Sequence, residues 1–155
     1  DLGAVVGAVI GALLQFYLPI WRDNRRYSRK AQLLGDWLSS WQPSNKEPHA
    51  WTSERVHIDV HFGKLKLSNE ANSHGYQWAG EGELFESDYF YGTYYSIKRG
   101  ANSKGVFAFY LLPQGDAIVG QALGTDAEGG VLHCRWAMGR DLTALEKAKR
   151  WIEDH

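Results

Sequence analysis

Residues 51–68 read WTSERVHIDVHFGKLKLS. In this stretch Val56, Ile58, Val60 and Phe62 alternate with Arg55, His57, Asp59 and His61. After Gly63, Leu65 and Leu67 alternate with Lys64 and Lys66. A period of two is the signature of a strand with one face in a core and one in water. Two such runs joined at a glycine read as an antiparallel hairpin. The apolar set is assigned to the inside and the charged set to the outside.

The same rhythm continues in both directions. Alternating runs fall at 33–42, 51–62, 64–68, 76–84, 89–98, 106–112, 117–124 and 131–140, with Gly-, Asn-, Asp- or Pro-rich turns between them. Connections this short demand antiparallel neighbours. Eight strands joined in sequence close most simply into an up-and-down barrel, which removes the edge strands. The expected fold is therefore all-β: an eight-stranded antiparallel, lipocalin-like barrel over residues 33–140. Residues 141–155 read DLTALEKAKRWIEDH and predict a short C-terminal helix, with Leu142, Leu145 and Ile152 on its apolar side.

Upstream the composition changes. Residues 2–21 read LGAVVGAVIGALLQFYLPIW and carry no charge. Twenty residues make a helix of about 30 Å, the thickness of a bilayer's hydrocarbon core. Residues 1–21 are thus expected to form a transmembrane helix. The linker 22–32 holds Arg22, Arg25, Arg26, Arg29 and Lys30 against Asp23. The positive-inside rule then places the barrel in the cytoplasm. Gly3, Gly7 and Gly11 repeat every four residues and predict a smooth face for helix–helix association.

Several classes of function find no support. The 155 residues carry a formal net charge of −1, so no global basic field exists to hold duplex nucleic acid. The single cysteine, Cys134, excludes an internal disulfide and a multi-cysteine zinc site, and reads as an inert core thiol. His57, Asp59 and His61 share a strand face, but that face is outward and lacks a fourth ligand, so no metal is expected. No P-loop, nucleophile elbow or dinucleotide fingerprint occurs, and nothing calls for catalytic residues, an enzyme or a cofactor.

What remains is the barrel's interior. Aromatic residues are 14% of the chain. A barrel of eight strands either fills its lumen with side chains or holds one small ligand. Trp78, Trp136, Tyr91 and Tyr95 are assigned inward, among glycines that leave room. Trp78, Tyr91, Thr93 and Tyr95 are the expected ligand wall, with Tyr110 a further candidate, although in 106–112 both faces are apolar and Tyr110 and Phe109 compete for the interior. Arg99 and Lys104 border the loop 100–103 at one barrel mouth and are the candidates for an anionic ligand's phosphates.

The Leu34-Gly35-Asp36-Trp37 start, the Trp78-x-Gly80-x-Gly82-x-Leu84 run and Gly92-Thr93-Tyr94-Tyr95, behind an apolar segment and a basic flank, resemble the membrane-anchored β-barrel effectors of bacterial cyclic-oligonucleotide anti-phage (CBASS) systems, the two-transmembrane β-strand-rich type. The resemblance implies a bacterial inner-membrane protein whose cytoplasmic barrel binds a cyclic dinucleotide. It also implies self-association in the lipid bilayer that disrupts the membrane; the sequence departs from the family in showing one membrane helix where the family has two. The alternative is a membrane-tethered, lipocalin-like carrier of a lipid or other apolar molecule.

Overall fold

A computed structural model describes residues 15, 29–43, 50–71, 75–86, 88–98, 101–126 and 128–155. Eight strands follow one another: β1 (Gly35–Pro43), β2 (Thr52–His61), β3 (Lys64–Asn69), β4 (Trp78–Phe85), β5 (Tyr89–Ser96), β6 (Lys104–Leu111), β7 (Ala117–Thr125) and β8 (Val131–Gly139). Each pairs with the next, antiparallel, and β1 pairs with β8, so the barrel is closed. The helix α1 (Leu142–Asp154) follows. Apart from Gln15, the expected residues 1–21 helix, with Gly3, Gly7 and Gly11, lies outside the described residues, as do Arg22, Arg25 and Arg26. Among the described residues no helix is long and apolar enough to cross a membrane.

The faces follow the alternation. Val56, Ile58, Leu65, Leu67, Cys134, Trp136 and Met138 are buried in one lumenal cluster. Phe62 departs from the expected inward set. It takes φ 49° beside Gly63 at φ 82°, the positive pair that a two-residue primed hairpin requires, and its side chain is fully exposed.

The lower half of the lumen is packed solid. Phe107 and Phe109 stack at 4.8 Å, and Phe90 meets Phe109 at 5.1 Å. Gly80 and Gly82 leave no empty room here, because Phe107 fills the space. A Cβ on Gly82 would stand 3.1 Å from Phe107 Cζ and 2.8 Å from the Tyr91 carbonyl oxygen.

This end is also sealed from below. Residues 29–33 are helical, and Leu33 is fully buried under Trp37, whose indole N–H donates to the Leu33 carbonyl at 2.8 Å. The Arg140 guanidinium lies 3.8 Å over the Trp37 ring and donates to the carbonyls of Gln32, Leu34 and Asp36. Arg29 pairs with Asp88 at 3.3 Å, which ties the entering chain to the β4–β5 turn.

Helix α1 starts at Asp141, whose side chain accepts from the Ala144 N–H at 2.8 Å. It lays Ala144, Leu145 and Ala148 on the outer faces of Val119 and Ala137. Leu142, an expected member of that apolar side, is instead 71% exposed, because it opens the helix before the packed turn. Gly139 is required here: a Cβ would meet the Leu145 nitrogen at 2.1 Å. The apolar outer face of β6 is partly explained, since Tyr110 packs on the same outer cluster and reaches the Trp151 ring at 6.5 Å.

Candidate functional site

The upper half of the barrel is hollow. A cavity of about 410 Å³ opens among the β1–β2, β3–β4, β5–β6 and β7–β8 connections, at the end opposite Arg140. Its walls come from Trp41, Tyr76, Trp78, Tyr94 and Trp136. Ala122, Leu132 and Cys134 complete the apolar side. Thr52, Ser103, Asp126 and Glu128 are the polar lining among the described residues.

The rings are held rigidly. Trp78 and Trp136 meet edge to face at 5.2 Å, and Trp78 and Tyr94 do so at 6.5 Å. Trp136 donates its indole N–H to Ser39 Oγ at 2.7 Å, and Trp78 donates to Glu54 Oε1 at 3.1 Å. With both N–H groups engaged in the wall, these rings offer the cavity carbon surface. The Tyr76 hydroxyl donates to Ser103 Oγ at 2.9 Å. Burial pushes the Tyr94 hydroxyl up to about 12, so it stays a neutral phenol.

Behind the rings sits Glu54, 8% exposed. Asn69 Nδ2 donates to Glu54 Oε2 at 2.8 Å and also to the Tyr76 carbonyl, while Asn69 Oδ1 accepts the Trp78 backbone N–H. Burial raises the Glu54 carboxyl from 4.5 to about 7, against the opposing pull of hydrogen bonds from Asn69, Trp78 and Trp41. One carboxyl therefore orients two of the tryptophans that wall the cavity. Glu54 was legible in principle, because extending the Val56–Val60 alternation backwards places Glu54 and Thr52 on the inner face.

The sequence-predicted site residues do not all gather. Trp78 lies in the wall as expected, 1% exposed. Tyr91 and Tyr95 do not: they are 51% and 55% exposed on the outer face, with Thr93 exposed between them. The register explains the correction. Gly82, Gly80 and Trp78 face inward, and their partners across the ladder are Gly92, Tyr94 and Ser96. Paired residues share a face, so β5 turns Phe90 and Tyr94 inward and its other tyrosines outward. In β6 the inward residue is Phe109, 2% exposed, and Tyr110 lies outside. Lys104 begins β6 at the mouth end but is exposed on the outer wall beside Tyr95, and Arg99 lies outside the described residues. Ile97, which follows β5 in the same alternation as Tyr91 and Tyr95, is likewise 51% exposed.

Among the described residues no group of three or more His, Cys, Asp or Glu side chains is placed to hold a metal ion. His57 pairs with Asp36 at 2.6 Å and His61 with Asp59 at 3.2 Å, both on the solvated outer face.

No family model and no curated protein matches the chain. Solved structures do. The chain is similar to a redesigned beta barrel, with 14% identity over 73% of this chain and 95% of that one, at a TM-score of 0.56. It is also similar to EF1p2_mFAP2b bound to DFHBI, with 14% identity over 74% of this chain and 98% of that one, at a TM-score of 0.60. At these identities the likeness is one of fold.

Proposed function

We propose that this protein is a small-molecule receptor, and that the hollow upper half of its barrel holds one compact, flat organic molecule. The observation that carries this is the division of the lumen. A barrel that needed only a core would continue the packing of Phe90, Phe107 and Phe109 to its other end. Instead, five aromatic rings stand around about 410 Å³ of open volume, and the indole N–H groups of Trp78 and Trp136 are bonded to Glu54 and Ser39, outside the lining. Rigid, largely apolar pockets with a few polar groups are the usual form of small-molecule sites. The likeness to a barrel solved with DFHBI bound supports the same use of the fold.

A second reading is the membrane effector of an anti-phage system. It rests on the order of apolar stretch, basic flank and barrel. The entering chain at residues 29–34 meets the sealed end of the barrel, so the mouth faces away from it. Against a cyclic dinucleotide as the occupant stands the lining, where no Lys or Arg occurs among the described residues.

The test uses the full chain and Cys134, its single cysteine, which lines the cavity. The neutral planar dye Nile red is titrated while the alkylation rate of Cys134 is followed. The expected result is saturable one-to-one binding that slows alkylation at least about tenfold. Binding that leaves the Cys134 rate unchanged would place the dye on the outer wall and end the receptor proposal. A panel of cyclic dinucleotides in the same assay decides the second reading: protection of Cys134 by one of them favours it, and none by any removes it.

A further inference from the structure

The charge around the cavity says more about its occupant than its volume does. We infer that the preferred ligand is an organic cation, an ammonium or aromatic iminium compound, seated against Trp78, Trp136 and Tyr94 with Asp126 and Glu128 above it. This rests on the receptor reading and names the ligand class for that site.

The aromatic wall is the first reason. A cation within about 6 Å of a ring centroid is attracted by the ring's quadrupole, most strongly by tryptophan, and more so when the site is dry. Here the rings offer their carbon surface to the cavity, because Ser39 and Glu54 engage the two indole N–H groups.

The second reason is the sign of the surrounding charge. Asp126 and Glu128 are the charged lining among the described residues, and neither makes an ion pair with a described cation. Behind the wall, Glu54 is a carboxyl buried without a described cation; its partners are neutral N–H groups. Of the described cations nearby, Arg55, Lys104 and Arg135 are exposed on the outer wall, and Lys98, in the β5–β6 connection, is exposed and outside the lining. Among the described residues, an anion entering this mouth meets the carboxylates of Asp126 and Glu128, whereas a cation meets those two groups and the aromatic carbon of Trp78, Trp136 and Tyr94. Glu54 also has a positioning role: it fixes the edges of Trp41 and Trp78, so it acts on the ligand through those rings.

The experiment displaces Nile red from the full chain with three probes of one shape. Benzyltrimethylammonium is the cation, neopentylbenzene its uncharged carbon isostere, and phenylmethanesulfonate the anion. The cation is expected to bind roughly tenfold tighter than the isostere, and the anion weakest. Glu128→Gln, at an exposed position, should lower the cation's advantage by roughly two- to fivefold and leave the isostere's affinity unchanged. Equal affinity for cation and isostere, or tightest binding by the sulfonate, would overturn the inference and leave the receptor proposal standing. So would failure of all three probes to displace a bound Nile red. If Nile red itself does not enter, the receptor proposal falls and the inference falls with it.

Discussion

Glu54→Gln should change how stability depends on pH. The native carboxyl is 8% exposed and held near 7 by burial, while in the unfolded chain it returns to about 4.5. Between those values the unfolded chain ionises this group and the native state keeps it protonated. Ionisation therefore draws molecules toward the unfolded state as pH rises. The stabilising contribution is whole below pH 4.5 and is lost as pH passes 7. At about 1.4 kcal/mol per unit, the loss across this window is of order 3 kcal/mol. Glutamine cannot ionise, and its amide sets two donors where the carboxyl accepted N–H bonds. The variant should thus start about 1–3 kcal/mol less stable at acid pH and then stay level. The assay is urea unfolding, followed by tryptophan fluorescence, at steps from about pH 4 to 8 for both proteins. Subtracting the two profiles removes the other carboxyl groups. Glu81, for example, is held down at about 2 by hydrogen bonds from Lys64 and Lys66, so its contribution is lost at lower pH. A difference profile that is flat from pH 4 to about 8 would show that Glu54 titrates like an exposed carboxylate, and the account of the buried wall would be wrong.

Three other outcomes follow from named contacts. Arg140→Ala leaves the carbonyls of Gln32, Leu34 and Asp36 without their donor, so stability should fall by about 1–3 kcal/mol, with faster hydrogen exchange concentrated at Leu33 and Leu34. Gly82→Val drives branched carbon into Phe107 and should cost roughly 1–3 kcal/mol in urea unfolding; an unchanged midpoint would mean that the lower lumen is looser than drawn. Replacing Tyr91 and Tyr95 together by Ala should leave the Nile red dissociation constant unchanged within about twofold, because both side chains face outward; a larger loss would return them to the binding site.

The barrel was readable because in β2, β3, β4 and β8 only one of the two alternating sets is apolar. Where both sets carry apolar bulk, alternation loses its sign. In the run 89–98, Tyr91, Tyr95 and Ile97 look no less internal than Phe90 and Tyr94, and only the pairing of Gly82 with Gly92 decides between them. In β6 the outer face is apolar as well, partly because Tyr110 packs beside the terminal helix. The glycines misled for a different reason. Gly80 and Gly82 do make space, but Phe107, from a strand two places away, fills it. The open volume arises at the other end, walled by Trp41, Tyr76 and Tyr94, which fall within the alternating runs 33–42, 76–84 and 89–98 but show as wall residues only once the register closes the barrel. Glu54 was passed over because a charged residue beside Arg55 and His57 reads as one more solvated position until the register is extended past Val56.

The central claim is that the cavity at the open end, and not the outer wall, is where a ligand sits. Ala122 is 3% exposed and lines that cavity, so Ala122→Phe fills it with a ring. The measurement is the Nile red dissociation constant of this variant, taken on protein whose unfolding midpoint matches the parent's. The account predicts a loss of at least about thirtyfold, roughly 2 kcal/mol of binding free energy. An affinity equal to the parent's, in a variant that folds, would contradict it.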